Sequence, residues 1–228
     1  MRHISWKRIV KSPTKAMIHK FHSATLICIF IAASLISMGP RAMAIEEPSY
    51  SVLATEGNFE LRRYSSYIVA ETTVEGNFEA VGNEGFRRLA AYIGGKNRKK
   101  ESISMTAPVS QKPASEKIAM TAPVSQTGEN GRWRITFMMP AAYTLEMLPI
   151  PDDDRVVLKE EKEKTVAVIR YSGTWRKKRY EDHAKTLMDW ISTMGWKMVG
   201  APVWARYNPP FMPWFMRRNE ILISVSIL

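Results

Sequence analysis

Two stretches of this chain, 97 residues apart, carry the same order of features. Each has two β-rich segments, then a glycine followed two residues later by an aromatic residue, and then an amphipathic helical pattern. Under the 97-residue shift, Gly76–Asn77–Phe78 falls on Gly173–Thr174–Trp175, and both triplets stand where strand gives way to helix. A repeat of this kind predicts an internal duplication. We expect the two pseudo-repeats to span about residues 57–140 and 155–228.

The repeated pattern predicts an α+β domain. We interpret the two β-rich segments of each half as a hairpin, and the helix after them as amphipathic, with Asn77 as the N-cap of the first helix. The predicted elements are strands 59–64 and 67–74, helix 78–93, strands 103–109, 118–124, 133–139, 156–161 and 165–171, helix 177–194, and strands 203–207 and 220–227. The expected fold class is therefore α+β: an internally duplicated, distorted antiparallel β-barrel or sheet flanked by two amphipathic helices.

Residues 1–44 have the composition of an export signal. They hold seven of the 33 Lys and Arg residues and no acidic residue, and an apolar stretch at 24–39 precedes the small-x-small motif Ala42–Met43–Ala44. We expect cleavage after Ala44, which leaves a single domain at 45–228 in the periplasm or outside the cell. The alternative is an uncleaved anchor in the inner membrane formed by residues 24–39, although a membrane span usually needs about 20 residues.

The composition of the remaining chain excludes several classes of site. Of the formal net charge of +11, only +4 remains outside the leader, from 26 basic and 22 acidic residues, which argues against a nucleic-acid partner. Residues 45–228 contain one histidine, His183, and no cysteine. This excludes disulfides, cysteine nucleophiles and His/Cys zinc sites there.

A tandem copy of nine residues is the first distinctive motif. Residues 103–111 read ISMTAPVSQ and residues 118–126 read IAMTAPVSQ. Met105 and Met120 hold the same position in the two copies. Thioether side chains fill irregular apolar space and contact flat aromatic ligands well, so the two methionines are candidates for lining a pocket. The alternative, a pair of methionines packed in the core between two strands, stays open at this point.

The second distinctive motif is an apolar, proline-rich segment before the last strand. Three prolines between Asn208 and Pro213 make this segment a stiff loop. An apolar loop is either covered by other parts of the protein or forms one wall of a ligand site, and Phe211, Met212 and Trp214 are the candidates for that wall. Arg217 and Arg218 follow the loop and could hold a carboxylate with two parallel hydrogen bonds, with Arg217 as the candidate at the site. Alternatively, one of the two pairs with Glu220 or another acid of the sheet.

These motifs, together with the opening strand Phe59–Tyr64 (FELRRY), resemble those of the SOUL heme-binding family over about residues 50–226. The resemblance implies a distorted barrel with two helices that binds heme or a related tetrapyrrole without catalysis. It also implies a groove beside the first helix, partly covered by the proline-rich loop. One wall of that groove would consist of Phe86, Leu89, Ala90 and Ile93, and the other of Phe211, Met212 and Trp214.

The sequence departs from the family at one position. Some heme-binding members have a histidine before the tyrosine of the opening strand, where this chain has Arg63. The resemblance therefore implies that porphyrin is held mostly by apolar contacts. His183 is the remaining candidate for ligating iron, but the 97-residue shift places it opposite Phe86 on the other helix, which favours an ordinary partly buried or surface histidine.

The expected function is that of an exported, non-enzymatic carrier, buffer or scavenger that binds heme in an apolar groove with a basic rim. Its partner is heme or another tetrapyrrole, and it meets the membrane only through an uncleaved leader. The alternative is a general effector-binding module for bulky apolar ligands. Carboxylates deep in the cleft would favour this alternative, with a cation as the ligand. A third class is an enzyme with Glu71, Glu75 or Glu220 as general base, but no pairing of nucleophile and base is visible.

Overall fold

A curled antiparallel sheet forms the body of the fold. The computed structural model describes residues 45–99 and 115–227. The strands in chain order are β1 (Tyr50–Glu56), β2 (Phe59–Tyr64), β3 (Tyr67–Glu75), β4 (Asn97–Arg98), β5 (Val124–Glu129), β6 (Arg132–Met138), β7 (Ile150–Pro151), β8 (Val156–Glu161), β9 (Lys164–Tyr171), β10 (Lys197–Met198), β11 (Val203–Arg206) and β12 (Asn219–Ser226). Hydrogen bonds order the sheet as β1-β2-β9-β12-β11-β5-β6-β3-β8, with β10 also paired to β12 and β4 paired to β7 separately. The sheet is a half-barrel, and the predicted α+β class is confirmed.

The two helices begin where the sequence indicates. Helix α1 spans Phe78–Ile93, and the side chain of Asn77 accepts a hydrogen bond of 2.8 Å from the Ala80 amide. This bond satisfies one of the free amides at the helix start, as expected of an asparagine cap. Helix α2 spans Lys177–Thr193 and has no side-chain cap, because Arg176 stands at its N-cap position. Both helices bury one apolar face against the same side of the sheet.

The predicted hairpins are wrong. Strand β2 pairs with β9, so that Leu61 lies opposite Ala167, and β3 pairs with β8, so that Ala70 lies opposite Leu158. Each strand thus crosses to the other half of the chain instead of folding back on its neighbour. The exchange merges the two halves into one continuous sheet, in which β1 and β8 are the outermost strands.

The strand order is the same from both directions when the two halves are matched. The 97-residue shift matches β2 with β8 and β3 with β9, and the order along the chain after each helix matches β5 with β11 and β6 with β12. Exchanging the matched strands reverses the order β2-β9-β12-β11-β5-β6-β3-β8 onto itself. Strands β5 and β11 meet at the centre of the series. The topology is therefore pseudo-symmetric, while the duplication of the sequence stays a prediction.

The main core lies between the sheet and the two helices. Phe78 of α1 stacks on Trp204 of β11 with ring centroids 5.1 Å apart, and it meets Trp133 of β6 edge-on at 5.2 Å. Gly85 lets α1 approach β6 closely, since a Cβ atom there would lie 2.6 Å from the Ile135 side chain. The helix is therefore held at a fixed height above the sheet, and the side chains at its edge stand beside β5 and β11.

The second copy of the tandem motif differs from the prediction. Residues 118–123 form no strand, and β5 begins at Val124, where the predicted strand ends. Pro123 has no amide hydrogen to donate to a neighbouring strand. Isolated hydrogen bonds hold the segment instead: the Ile118 amide donates to the Ile93 carbonyl at 2.8 Å, and the Thr121 hydroxyl donates to the Met138 carbonyl. The first copy, with Met105 and the predicted strand 103–109, lies outside the described residues.

Candidate functional site

An apolar groove of about 420 Å³ lies between helix α1 and the proline-rich loop. Helix α1 supplies Gly82, Asn83 and Phe86, and the other walls come from residues 120–124 and 206–211. A volume of this size is typical of sites for small molecules, which measure about 300–1,000 Å³. The groove occupies the place where the family resemblance implies a ligand.

Three of the predicted site residues meet in this groove. Phe86, Met120 and Phe211 all line it, although they are far apart in the sequence. Phe86 is 38% exposed and rests edge-on against Phe137, with ring centroids 5.4 Å apart. Met120 and Phe211 are 46% and 85% exposed, so their apolar surfaces are available to a ligand. That they bind a ligand stays a prediction.

The remaining residues predicted for the helix wall do not line the groove. Leu89 is fully buried in the core, Ile93 is also buried there, and Ala90 is half-buried against the core. The reason is their position along the helix: the groove borders the part of α1 that carries Gly82, Asn83 and Phe86, whereas positions 89, 90 and 93 lie one to two turns further along and pack against the core. These three residues belong to the fold, and their assignment to the groove is corrected.

Arg217 braces the proline-rich loop and lies outside the lining of the groove, and its role at a basic rim stays a prediction. Its Nε donates to the Met212 carbonyl at 2.7 Å and one Nη donates to the Pro210 carbonyl at 2.6 Å. Its guanidinium carbon lies 4.3 Å from the ring centroid of Trp175. Met212 contributes this carbonyl without lining the groove, and the 57% exposed Trp214 also lies outside the lining.

The groove contains a cation that the sequence analysis missed, Arg206. Its guanidinium carbon lies 4.9 Å from the Trp204 ring centroid and 5.4 Å from that of Trp175. Its Nε is buried and has no hydrogen-bond partner, and burial lowers the pKa of the group to about 10. The alternation of side chains along β11 could have indicated that Arg206 points inward, because Arg206 shares a strand face with Trp204, which is buried in the core.

The arginine also explains a glycine inside helix α1. A Cβ atom on Gly82 would lie 3.1 and 3.3 Å from the two Nη atoms of Arg206 and 3.0 Å from the Oε1 of Gln126. Glycine in a helix interior costs about 1 kcal/mol relative to alanine. Here it makes room for the guanidinium to lie against the helix. The Oε1 of Gln126 is itself buried without a hydrogen-bond partner.

No aspartate or glutamate lines the described part of the groove. The three candidate general bases lie elsewhere. Glu75 is exposed on β3 beside Arg132, and Glu71 forms an ion pair with Lys159 at 2.8 Å. Glu220 is fully buried on the sheet face opposite the helices, among arginines and tyrosines. None of the three faces the groove.

Glu220 is the centre of a buried ion-pair network. Arg62 donates to both of its carboxylate oxygens at 2.8 and 3.1 Å, Arg218 donates at 3.0 Å, and the Tyr207 hydroxyl donates at 2.8 Å. Burial opposes ionisation, but these donors and the two positive charges hold the pKa of Glu220 below its usual value. Burial and the charge of Glu220 raise the pKa of Tyr207 well above 10. Tyr207 also lines the groove and thus joins it to the network.

His183 and Arg63 lie away from the groove. The imidazole of His183 stacks on Tyr171 with ring centroids 3.9 Å apart, and burial together with Arg179 lowers its pKa. Neither His183 nor the exposed Arg63 lines the groove. The described groove therefore offers apolar contacts and one cation, with no histidine among its lining residues.

Comparison with known proteins agrees with these features. The family model of the SOUL heme-binding protein matches residues 45–224. The chain is similar to Heme-binding protein 1 of Xenopus tropicalis, with 25% identity over 166 residues that cover 72% of this chain and 81% of that protein. It is also similar to Heme-binding protein 2 of Homo sapiens, with 26% identity over 195 residues that cover 78% and 89%.

A comparison of structures supports the fold alone. The C-terminal domain of EcmrR matches with a TM-score of 0.54 and 9% identity, covering 78% of this chain and 99% of that one. The two sequence relatives, by contrast, carry heme binding in their names and support heme as the ligand. From the family model over residues 45–224, we conclude that this chain belongs to the SOUL heme-binding protein family.

Proposed function

We propose that this protein is an exported, non-catalytic carrier, buffer or scavenger that holds heme or a related tetrapyrrole in the groove between helix α1 and the proline-rich loop. One observation carries the proposal: the groove is apolar, Arg206 is the one charged side chain along its described lining, and no carboxylate lines that part. A porphyrin has a flat apolar body with two carboxylates at one edge. Apolar walls with one positive group therefore match both parts of such a ligand.

The lining residues suit this ligand. Phe86, Met120 and Phe211 offer an aromatic ring, a thioether and a second ring on different sides of the groove. Aromatic and thioether groups make favourable contacts with flat π-systems. When bound, heme would supply redox-active iron, and the residues of this chain would hold the porphyrin and keep water from its apolar face. No histidine that could ligate the iron lines the described part of the groove.

The charge of the groove argues against the effector-binding alternative in its cationic form. A bulky cation in an apolar cleft requires a nearby negative charge, because an unpaired charge out of water is costly. The described lining carries Arg206 and no acid, so the local charge would repel a cation. The structural similarity to the EcmrR domain concerns the fold alone. We therefore infer the class of ligand from the charge of the groove.

Export of the protein forms part of the proposal. It is supported by the basic, apolar and small-x-small segments of residues 1–44. Within residues 45–99 and 115–227, neither helix combines the length and the apolarity needed to cross a bilayer. Mass measurement of the N-terminus of the protein recovered from the cell envelope or the medium tests this part. We expect a chain that begins at Ile45, and an intact N-terminus would support the anchor alternative.

A hemin titration tests the ligand. We expect saturable one-to-one binding, seen as a shifted Soret band that survives an excess of serum albumin. Phe86→Ala should weaken binding roughly five- to thirtyfold, since it removes about 1–2 kcal/mol of apolar contact. Phe215→Ala is the matched control, because Phe215 is 61% exposed and does not line the groove. A Soret band unchanged at high micromolar protein would overturn the proposal.

A further inference from the structure

Arg206 is a largely buried cation without a counter-charge. Among the described residues, its side chain forms no ion pair, and its Nε has no hydrogen-bond partner. The two neighbouring tryptophans lie against the guanidinium group, but ring contacts leave the buried Nε donor without an acceptor. Burial of an arginine that lacks an acceptor is costly, since each unmet donor loses its bonds to water.

Two other largely buried arginines of this chain form ion pairs with carboxylates. Arg62 is bonded to Glu220 at 2.8 Å and to Glu60 at 2.6 Å. Arg218 is bonded to Glu220 at 3.0 Å and to Glu47 at 2.9 Å. Both therefore meet carboxylates of their own chain. Arg206 is different, because the groove in which it lies has no acid along its described lining.

The surroundings hold the guanidinium in one place. It lies against the backbone of Gly82, where a larger residue would come within 3.1–3.3 Å of its Nη atoms. The rings of Trp204 and Trp175 contact it from the sheet and from the start of α2. An arginine fixed in this way loses little further side-chain freedom when it binds a ligand, which favours affinity. Its guanidinium is suited to planar oxyanions, which it can bind with two parallel hydrogen bonds.

We propose that Arg206 is the anion-binding residue of the groove and that it selects ligands with an ionised carboxylate at the edge of an apolar body. The inference rests on the proposed function and narrows it to a ligand class. It assigns to Arg206 the role that the sequence analysis gave to Arg217, whose Nε and one Nη donate to carbonyls of the loop. At neutral pH the arginine is still charged, because its lowered pKa of about 10 lies well above 7.

The test compares two porphyrins that share one ring system and differ in whether their two carboxyl groups are free or methylated. Protoporphyrin IX has two carboxylates, and its dimethyl ester has none, while the apolar ring is the same. We expect the wild-type protein to bind the diacid roughly ten- to a hundredfold more tightly, the range of a hydrogen bond to a charged group. Fluorescence titration measures both affinities, and the absence of iron removes metal ligation from the comparison.

Arg206→Met should abolish the preference and leave the affinity for the ester nearly unchanged. Arg206→Lys keeps the charge and should retain part of the preference. Arg217→Met is the matched control: it removes a neighbouring arginine that braces the loop, so any loss of affinity should be equal for both porphyrins. Thermal unfolding gives a second readout, since Arg206→Met removes an unpaired buried charge and should leave the melting temperature equal or higher.

The outcomes separate the two proposals. Equal binding of diacid and ester by the wild-type protein overturns the role of Arg206 and leaves porphyrin binding intact. Binding of neither porphyrin overturns the proposed function itself. A preference that persists in Arg206→Met, or that disappears in Arg217→Met, also overturns the assignment. If Arg206→Met does not fold, the wild-type comparison and Arg206→Lys still decide the question.

Discussion

The buried carboxylate of Glu220 is expected to stabilise the fold, and Glu220→Gln tests this. The substitution keeps the size of the side chain and removes its charge. Glu220 is fully buried and accepts hydrogen bonds from Arg62, Arg218 and Tyr207. A glutamine has one acceptor oxygen in place of two, and its amide group points donors toward the donors of the arginines.

The magnitude follows from the charges that remain. Removing one partner of a buried ion pair costs about 3–5 kcal/mol, because the other charge stays buried without compensation. Arg62 and Arg218 retain second carboxylates, Glu60 at 2.6 Å and Glu47 at 2.9 Å. Both of these acids are partly exposed, so they compensate incompletely, and we expect the lower end of the range, about 3 kcal/mol. For a domain of this size that corresponds to roughly 6–12 °C in melting temperature.

Urea denaturation followed by circular dichroism measures the free energy of unfolding directly. Glu47→Gln is the control, because it is the same chemical change at a carboxylate that is one-third exposed, and it should cost less than about 1 kcal/mol. Equal losses in the two variants, or a loss below 1 kcal/mol in Glu220→Gln, would contradict the view that the network stabilises the fold.

The same network predicts a dependence on pH. The pKa of Glu220 is lower in the folded protein than in the unfolded chain, so its contribution to stability is complete above the unfolded value of about 4.3. The contribution is lost as pH falls from there through the folded pKa. The difference in unfolding free energy between wild type and Glu220→Gln should therefore be constant near pH 6–8 and shrink below about pH 4. A difference that stays constant to pH 2 would refute the assigned direction.

Three further predictions concern the helices. Gly85→Ala should destabilise the fold by about 1–3 kcal/mol in urea denaturation, because its Cβ would overlap Ile135, and an unchanged midpoint would show that α1 can shift outward. Asn77→Ala should cost about 1 kcal/mol by the same measurement, since it removes the cap of α1, and Asn77→Asp should retain most of the stability. His183 should titrate below pH 6.5 in an NMR experiment because it is partly buried, and His183→Ala should leave the Soret band of added hemin unchanged.

The strand partners show the limit of sequence reasoning about this fold. The extent of β2 and the start of β3 were predicted correctly, because alternation and turn residues are local signals. The partners were not, since Ser65–Ser66 was interpreted as a hairpin turn, whereas β2 and β3 separate to pair with β9 and β8. Pairing depends on which strands of the other half are available, and no short segment contains that information.

The groove shows the same division among its residues. The family motifs indicated Phe86, Met120 and Phe211, which the fold brings around one cavity. The same reasoning included Leu89 and Ile93, which face the core, because a helical stripe specifies which positions share a face and leaves open which neighbour that face meets. It also assigned anion binding to Arg217 and overlooked Arg206, because the sequence does not show which acceptors surround each guanidinium group.

The sequence by itself determined the α+β class, the approximate bounds of both helices and most strands, and membership of the SOUL heme-binding protein family. These properties depend on periodicity, capping and turn residues within a few positions of each other, and on motifs in a given order. Only the tertiary structure decided which strands pair, which part of α1 borders the groove, and which arginines lack an acid. Burial and compensation of charge arise between residues as distant in sequence as Arg62 and Glu220, so they exist only once β2 and β12 have paired with the two sides of β9.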